Sequence, residues 1–199
     1  MDLRVTATRD GAVLDWGDGE RRTAIGPGGI LVKVDGRPVQ LLYNGPDQFN
    51  LVTPFELTPN THVRFEIYRD GILTAGVNKW VQSAHIGLFR IGDFSADQLA
   101  ALNQDGSVNG PDNPAQVGTV IALFGTGFGN LARNLAAVQW TASVGGIDTT
   151  IQYLGNAPTL VAGVFQINIA IPMNVGFENT FVAINGPGGG DLGHIYIKR

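Results

Sequence analysis

Apolar and polar residues alternate along most of this chain in short runs separated by glycine, proline, aspartate and asparagine. That is the pattern of half-buried strands joined by tight turns. In residues 165–171 (FQINIAI), Phe165, Ile167, Ile169 and Ile171 fall on one face, with Gln166, Asn168 and Ala170 on the other. Residues 3–8 alternate likewise, with Leu3, Val5 and Ala7 together. The same reading predicts strands at 12–16, 30–34, 39–43, 49–53, 62–68 and 72–80, then at 119–124, 142–144, 149–153, 164–171, 181–184 and 194–198. Asp10-Gly11, Asp35-Gly36 and Asp70-Gly71 mark turns between them. Two stretches depart from this scheme. Ser95-Ala96-Asp97-Gln98 has the S-x-x-Q spacing of a capping box, and residues 130–140 (NLARNLAAVQW) suit a helix, so each reads as a short helix or a loop.

Behind the alternation lies a repeat. Ala12, Gly17, Gly19, Val34, Gly36, Tyr43 and Gly45 recur as Ala122, Gly127, Gly129, Val144, Gly146, Tyr153 and Gly155, each 110 positions on. After an insertion in the second copy, Gln48, Asn50 and Pro54 recur as Gln166, Asn168 and Pro172. Solenoid and propeller units run about 20–50 residues, so this longer spacing means two copies of one domain. With strands at regular intervals in each copy, the expected fold is all-β: two tandem immunoglobulin-like β-sandwich domains, at 1–90 and 91–199.

Composition narrows function mainly by exclusion. The 28 glycines and 10 prolines among 199 residues, with 44% hydrophobic against 15% charged, suit a folded, turn-rich β protein. A net charge of −4 offers no basic footprint for nucleic acid. No apolar run approaches the roughly 18 residues of a membrane-spanning helix. Without cysteine there is no disulfide, thiolate metal site or thiol nucleophile.

Few side-chain groupings carry chemistry. GTGFG at 125–129 invites comparison with a dinucleotide-binding turn, but Asn130 stands where that fingerprint has its third glycine. The first copy reads DWGDG there, whose carboxylates repel a pyrophosphate, so a structural turn is preferred. Asn103, Asp105, Ser107 and Asn109 set oxygen atoms at alternate positions around Gly106, as a calcium loop does. The bidentate glutamate and further carboxylates of an EF-hand are missing, and a plain Asp-Gly turn is the preferred alternative. These four are the candidate metal ligands.

The Gln48/Asn50 and Gln166/Asn168 pairs each put two amides on one strand face, ahead of Pro54 and Pro172. They read as architectural, with an amide ladder for a sugar as the second reading. Trp16, Trp80 and Trp140 are candidate stacking groups for a sugar ring. His62, His85 and His194 are scattered, and none of the four serines lies in G-x-S-x-G, so no catalytic signature is visible.

Asn103–Ser107 (NQDGS), Pro114-Ala115, Gly118, the Gly125–Gly127 turn, Tyr153 with Gly155, Ala157-Pro158, Gln166–Asn168 and Pro172 form a specific pattern. It closely resembles that of a family of uncharacterised bacterial extracellular domains, usually found at the C-termini of large secreted proteins. The opening LRVTATRDGAVLDW and the closing GPGGGDLGHIYIKR depart from it. The resemblance implies immunoglobulin-like sandwiches akin to transcription-factor-type Ig domains and an extracellular or cell-surface address, and it brings no assigned activity.

The function expected is a non-catalytic structural or interaction module: a spacer, adhesion or assembly unit. It would meet protein partners, or further copies of itself, through edge strands such as residues 3–8. The alternative is a carbohydrate-binding module for a polysaccharide, assisted by calcium at the 103–109 loop. No other cofactor, no nucleic-acid partner and no membrane span is expected.

Overall fold

The computed structural model describes residues 4–8, 11–15, 21–23, 25–26, 29–44, 49–92, 97–129, 140–176 and 179–199. Every regular element among them is a strand. Trp16, Gln48, the start of the capping-box stretch and residues 130–139 lie outside the described residues. The chain divides into two compact units, Met1–Gln82 and Ser83–Arg199. The division falls ahead of the 90/91 boundary drawn from the repeat, because Gly87–Leu88 pairs with a strand of the second unit.

In the first unit β1 (Arg4–Thr8), β2 (Gly11–Asp15) and β3 (Arg21–Thr23) form an antiparallel sheet. There follow β4 (Ile25–Gly26), β5 (Ile30–Val34), β6 (Arg37–Pro38), the hairpin β7 (Leu41–Asn44) and β8 (Phe49–Leu51), then β9 (His62–Arg69) and β10 (Ile72–Trp80). The larger sheet runs β10-β9-β5-β4, with β6 on β5. Alternation decides which face is buried. Ile30, Val32 and Val34 of β5 and Val63, Phe65 and Ile67 of β9 turn inward, joining Val39, Leu41, Phe49 and Leu51 in a small core. Lys33, Arg64, Glu66 and Tyr68 therefore share the opposite face.

The second unit contains β11 (Gly87–Leu88), β12 (Ala101–Leu102), β13 (Ala115–Gln116), β14 (Val120–Thr126) and β15 (Thr141–Val144). It continues with β16 (Ile147–Thr149), β17 (Ile151–Asn156), β18 (Phe165–Ala170), β19 (Asn179–Gly186) and β20 (Gly189–Lys198). One sheet runs β11-β14-β18-β17 with β12 on β14; the other runs β13-β20-β19-β15-β16. This is the two-sheet arrangement of an immunoglobulin-like sandwich. Ile121, Leu123, Ile167 and Ile169 of the first sheet meet Val144, Val182, Ile184, Ile195 and Ile197 of the second in one core. Each isoleucine there contributes about 2 kcal/mol by leaving water.

The GTGFG turn serves packing. Gly127 has a φ of 81°, and a Cβ there would collide with the His85 carbonyl. β14 runs antiparallel to β11, β12 and β18, which is not the parallel βαβ setting of a dinucleotide-binding turn.

A charged clip joins the two sheets. Arg90, just beyond β11, donates to both oxygens of Asp191 on β20, from Nη2 to Oδ1 at 2.8 Å and from Nη1 to Oδ2 at 3.2 Å. The Leu88 N–H also donates to Oδ2, at 2.7 Å. Burial by itself raises the Asp191 carboxyl. The hydrogen bonds from Arg90 and from the Leu88 and Leu192 N–H groups outweigh it and hold that carboxyl below its ordinary value. A depressed carboxyl stabilises the fold above its unfolded-state pKa of about 4, and the contribution is lost as pH falls through the folded value. Stability measured by denaturant unfolding should fall below about pH 4, and it should fall less steeply in Arg90→Gln. Equal acid slopes in the two proteins would show that Arg90 does not hold the carboxylate.

Candidate functional site

In an antiparallel ladder successive residues turn their N–H and C=O alternately toward one neighbour and the other. The Phe181 carbonyl accepts from Gly145 on the β15 side. Its partner His194 therefore points its own main-chain groups outward, along with Leu192, Tyr196 and Lys198. That outer edge of β20 is capped from Leu192 to Lys198. Arg90 donates to the Leu192 carbonyl at 2.8 Å. The His194 N–H donates to the Asp97 carbonyl at 2.9 Å and its carbonyl accepts from Leu99 at 3.0 Å, while the Lys198 carbonyl accepts from Val117 at 2.9 Å.

Tyr196 is capped by a side chain. Its N–H donates to Asn109 Oδ1 at 2.9 Å, and its carbonyl accepts from Asn109 Nδ2 at 2.8 Å. Asn109 is wholly buried. Its Nδ2 also donates to Asn103 Oδ1 at 3.0 Å, and Asn103 Nδ2 in turn donates to the Asn113 carbonyl at 3.0 Å. Asp105 Oδ1 accepts from the Ser107 hydroxyl at 2.5 Å and from its N–H at 3.0 Å, and these bonds hold the Asp105 carboxyl below its ordinary value. The four predicted metal ligands are thus brought together, with oxygens of Asn103, Asp105 and Asn109 engaged by the loop itself and by β20. Beside them opens a cleft of about 300 Å³ lined by Asn103, Gln104, Asp105, Gln116, Thr119 and Lys198. Among the described residues no group of three or more His, Cys, Asp or Glu comes together.

The first unit carries the matching strand, and no described residue caps its edge. Asn78 faces Arg64 on β9 as His194 faces Phe181, and Trp80 faces His62 as Tyr196 faces Asn179. The Asp35 N–H reaches the Arg64 carbonyl as the Gly145 N–H reaches that of Phe181. On the other phase, Val81 exchanges bonds with the Thr61 carbonyl and the Asn60 N–H. Gly76, Asn78 and Trp80 therefore point their main-chain groups outward. β10 ends its sheet, every residue in it is exposed, and no described residue pairs with that edge. In the second unit Ala115 and Gln116 cover part of the β20 edge in parallel. In the first unit Val5 and Thr6, 110 positions earlier, pair instead with Leu14 and Val13 of β2.

Beside this edge lies the solvent face of the β5–β9–β10 sheet. Trp80, 52% exposed, meets His62 edge-on with centroids 4.8 Å apart. Glu66 accepts from Arg64 Nε at 3.1 Å and from the Tyr68 hydroxyl at 3.2 Å, and Lys33 Nζ lies 4.7 Å over the Tyr68 ring. Burial, then the Glu66 charge and hydrogen bond, raise the Tyr68 hydroxyl above its ordinary value. From His62 to Tyr68 the face extends about 20 Å along the strand.

The other sequence candidates are placed as follows. Gln166 Nε2 donates to Asn168 Oδ1 at 2.8 Å along β18, and Asn50 stands opposite Tyr43 in the β7–β8 hairpin. Pro54 and Pro172 open equivalent turns, their carbonyls accepting from Leu57 and Val175, each at 3.4 Å. Trp140 packs on Phe128 in the second unit, with centroids 4.9 Å apart. Of the tryptophans, Trp80 is the described one that solvent reaches freely. The uncapped β10 edge escaped sequence reasoning. Its signal was the run ILTAGVNKW, a 9-residue strand carrying a single charge, where edge strands are usually guarded by charge or proline.

Neither a family model nor a curated protein matches the chain. Among solved structures it is similar to SGBP-B of the Bacteroides ovatus mixed-linkage glucan utilization locus, in complex with a mixed-linkage heptasaccharide. The identity is 14% and the TM-score 0.30, covering 85% of this chain and 37% of that one. A glycosyl hydrolase family 2 member from Bacteroides cellulosilyticus matches at 12% identity and TM-score 0.27, covering 83% and 22%. The chain spans well under half of either protein, and likeness at this level says nothing of ligand or activity. No helix among the described residues is long and apolar enough to cross a membrane.

Asn109 offers a direct check on the capped edge. Asn109→Ala should destabilise the second unit by about 2–4 kcal/mol, since it leaves the Tyr196 N–H and C=O buried without partners. Denaturant unfolding measures the loss, and a change below about 0.5 kcal/mol would mean that the cap is dispensable.

Proposed function

We propose that this chain is a non-catalytic extracellular interaction module that accepts an extended strand on β10. The observation that carries the reading is the contrast between two equivalent strands. β20 has its outward groups met by Arg90, Asp97, Leu99, Asn109 and Val117, whereas Gly76, Asn78 and Trp80 of β10 present theirs to solvent. An uncovered row of donors and acceptors is the surface used in β-strand addition, where main-chain bonds supply affinity and flanking side chains supply selectivity. The extracellular address comes from the resemblance of the 103–172 pattern to bacterial secreted domains. In dilute protein, amide hydrogen exchange should be fast at Gly76, Asn78 and Trp80 and slow at His194 and Tyr196. Slow exchange at the first three under dilution would mean that the chain covers its own β10 edge, and the reading would fall.

A second reading, polysaccharide binding, draws on the solvent face beside that edge. Trp80 and Tyr68 offer aromatic faces to sugar rings, and Arg64, Glu66, Asn78 and Lys33 offer hydrogen-bonding groups between and around them. Affinity electrophoresis in gels containing soluble neutral polysaccharides should retard the protein, and Trp80→Ala or Tyr68→Ala should abolish the retardation. Unchanged mobility on every polysaccharide, with and without calcium, would remove this reading.

A further inference from the structure

We infer that the strand accepted by β10 is β10 of a second copy of this chain, running antiparallel about a twofold axis through Asn78. The inference rests on the reading that β10 accepts a strand, and it names the occupant.

Three constraints choose the register. First, bonds form only where outward-facing residues meet, so Gly76, Asn78 and Trp80 must pair among themselves. Second, the strand is irregular between Leu73 and Ala75, where the β9 register shifts, so the regular stretch available begins at Ala75. Third, Lys79 carries the strand's one charge and must not face its own copy.

A twofold axis at Lys79 sets two ammonium groups opposite each other. An axis at Val77 brings Trp80 against the irregular Thr74. An axis at Asn78 avoids both. It pairs Asn78 with Asn78 and Gly76 with Trp80, each pair exchanging both main-chain bonds, and it sets Lys79 against Val77.

The side chains agree with this register. Gly76 leaves a gap on the solvent face, over which the Arg64 guanidinium lies within 2.8 Å of where a Cβ would stand. Trp80 of the other copy comes directly opposite that glycine, a pairing in which an aromatic ring shields an edge glycine and here also meets a cation. Val77, 47% exposed, gains the Lys79 stem as cover. The product is a sheet continuous across the axis, closed at the edge that each copy alone leaves open.

The experiment combines sedimentation velocity with single-residue variants of the full chain. Wild-type protein should move from monomer to dimer as concentration rises. Asn78→Pro removes an outward N–H without breaking a bond to β9, and it should raise the dimer dissociation constant about tenfold or more. If Asn78→Pro unfolds, Asn78→Asp serves the same purpose, by placing two carboxylates on the axis.

Because the chain has no cysteine, Asn78→Cys should form a disulfide-linked dimer on mild oxidation, its Cα atoms about 5.5 Å apart across the axis. Lys79→Cys should link far less. A wild-type protein that stays monomeric at every concentration, with the Gly76, Asn78 and Trp80 amides still exchanging fast, overturns self-pairing and leaves strand acceptance from another protein standing. A dimer indifferent to Asn78→Pro and Asn78→Asp forms through another surface and overturns self-pairing on β10. A dimer that Asn78→Pro disrupts but that links through Lys79→Cys rather than Asn78→Cys overturns the register.

Discussion

The last strand of a sheet turns half of its main-chain groups away from every neighbour, and those groups must be met by something. Much of the second unit is arranged around that requirement. Described residues between Arg90 and Val117 lie beside β20 and supply, in order, a guanidinium, two main-chain groups from Asp97 and Leu99, a buried amide and a further N–H. Only part of this cover is strand, since Ala115 and Gln116 make the short parallel pairing at its end. The remainder is an edge closed piece by piece. The same stretch ties one sheet to the other through Arg90 and Asp191, so edge cover and sandwich closure depend on common residues.

Asn109 illustrates why side chains are used where strands do not run. Its amide has a donor and an acceptor at the spacing of a peptide group, so it substitutes for one residue of a neighbouring strand without a neighbouring backbone. Wholly buried, it would be costly if unpaired, and the bonds to Tyr196 and Asn103 offset that cost. Position 103 is thereby fixed as well. Asn103 receives from Asn109 and passes the constraint to Asn113, so a loop rich in Asn, Asp, Ser and Gly is held in one conformation.

The β character of the chain and most strand positions were legible because alternation leaves a direct trace. Residues 30–34 and 72–80 match their strands end to end, and the Val34/Val144 correspondence survives as equivalent ladders. Short elements such as β12 and β13 left no trace, since two residues carry no period. The 103–109 loop was legible as special and illegible as to purpose. Alternating oxygens serve a cation when they converge outward and serve the backbone when they turn inward, and spacing alone does not separate the two. The β10 edge was hidden for a related reason: whether an edge is covered depends on residues distant in sequence, and the decisive ones for β20 lie about 80–100 positions away.

The contrast between the two units sharpens the meaning of the uncovered edge. The first unit has an equivalent strand in the same phase, paired with β9, while Val5 and Thr6 join β2 instead of crossing to β10. What differs between the units is therefore the cover and not the edge. An exposed strand with one lysine and a large indole at its end is poorly guarded against pairing, by the standards that keep edge strands apart. The same features that make it a hazard for indiscriminate association, few charges and a regular run from Ala75 to Trp80, also restrict it to one register when a copy of itself approaches. Lys79 excludes one alignment and the irregularity at Thr74 another, so a weakly guarded edge still specifies how it is to be filled.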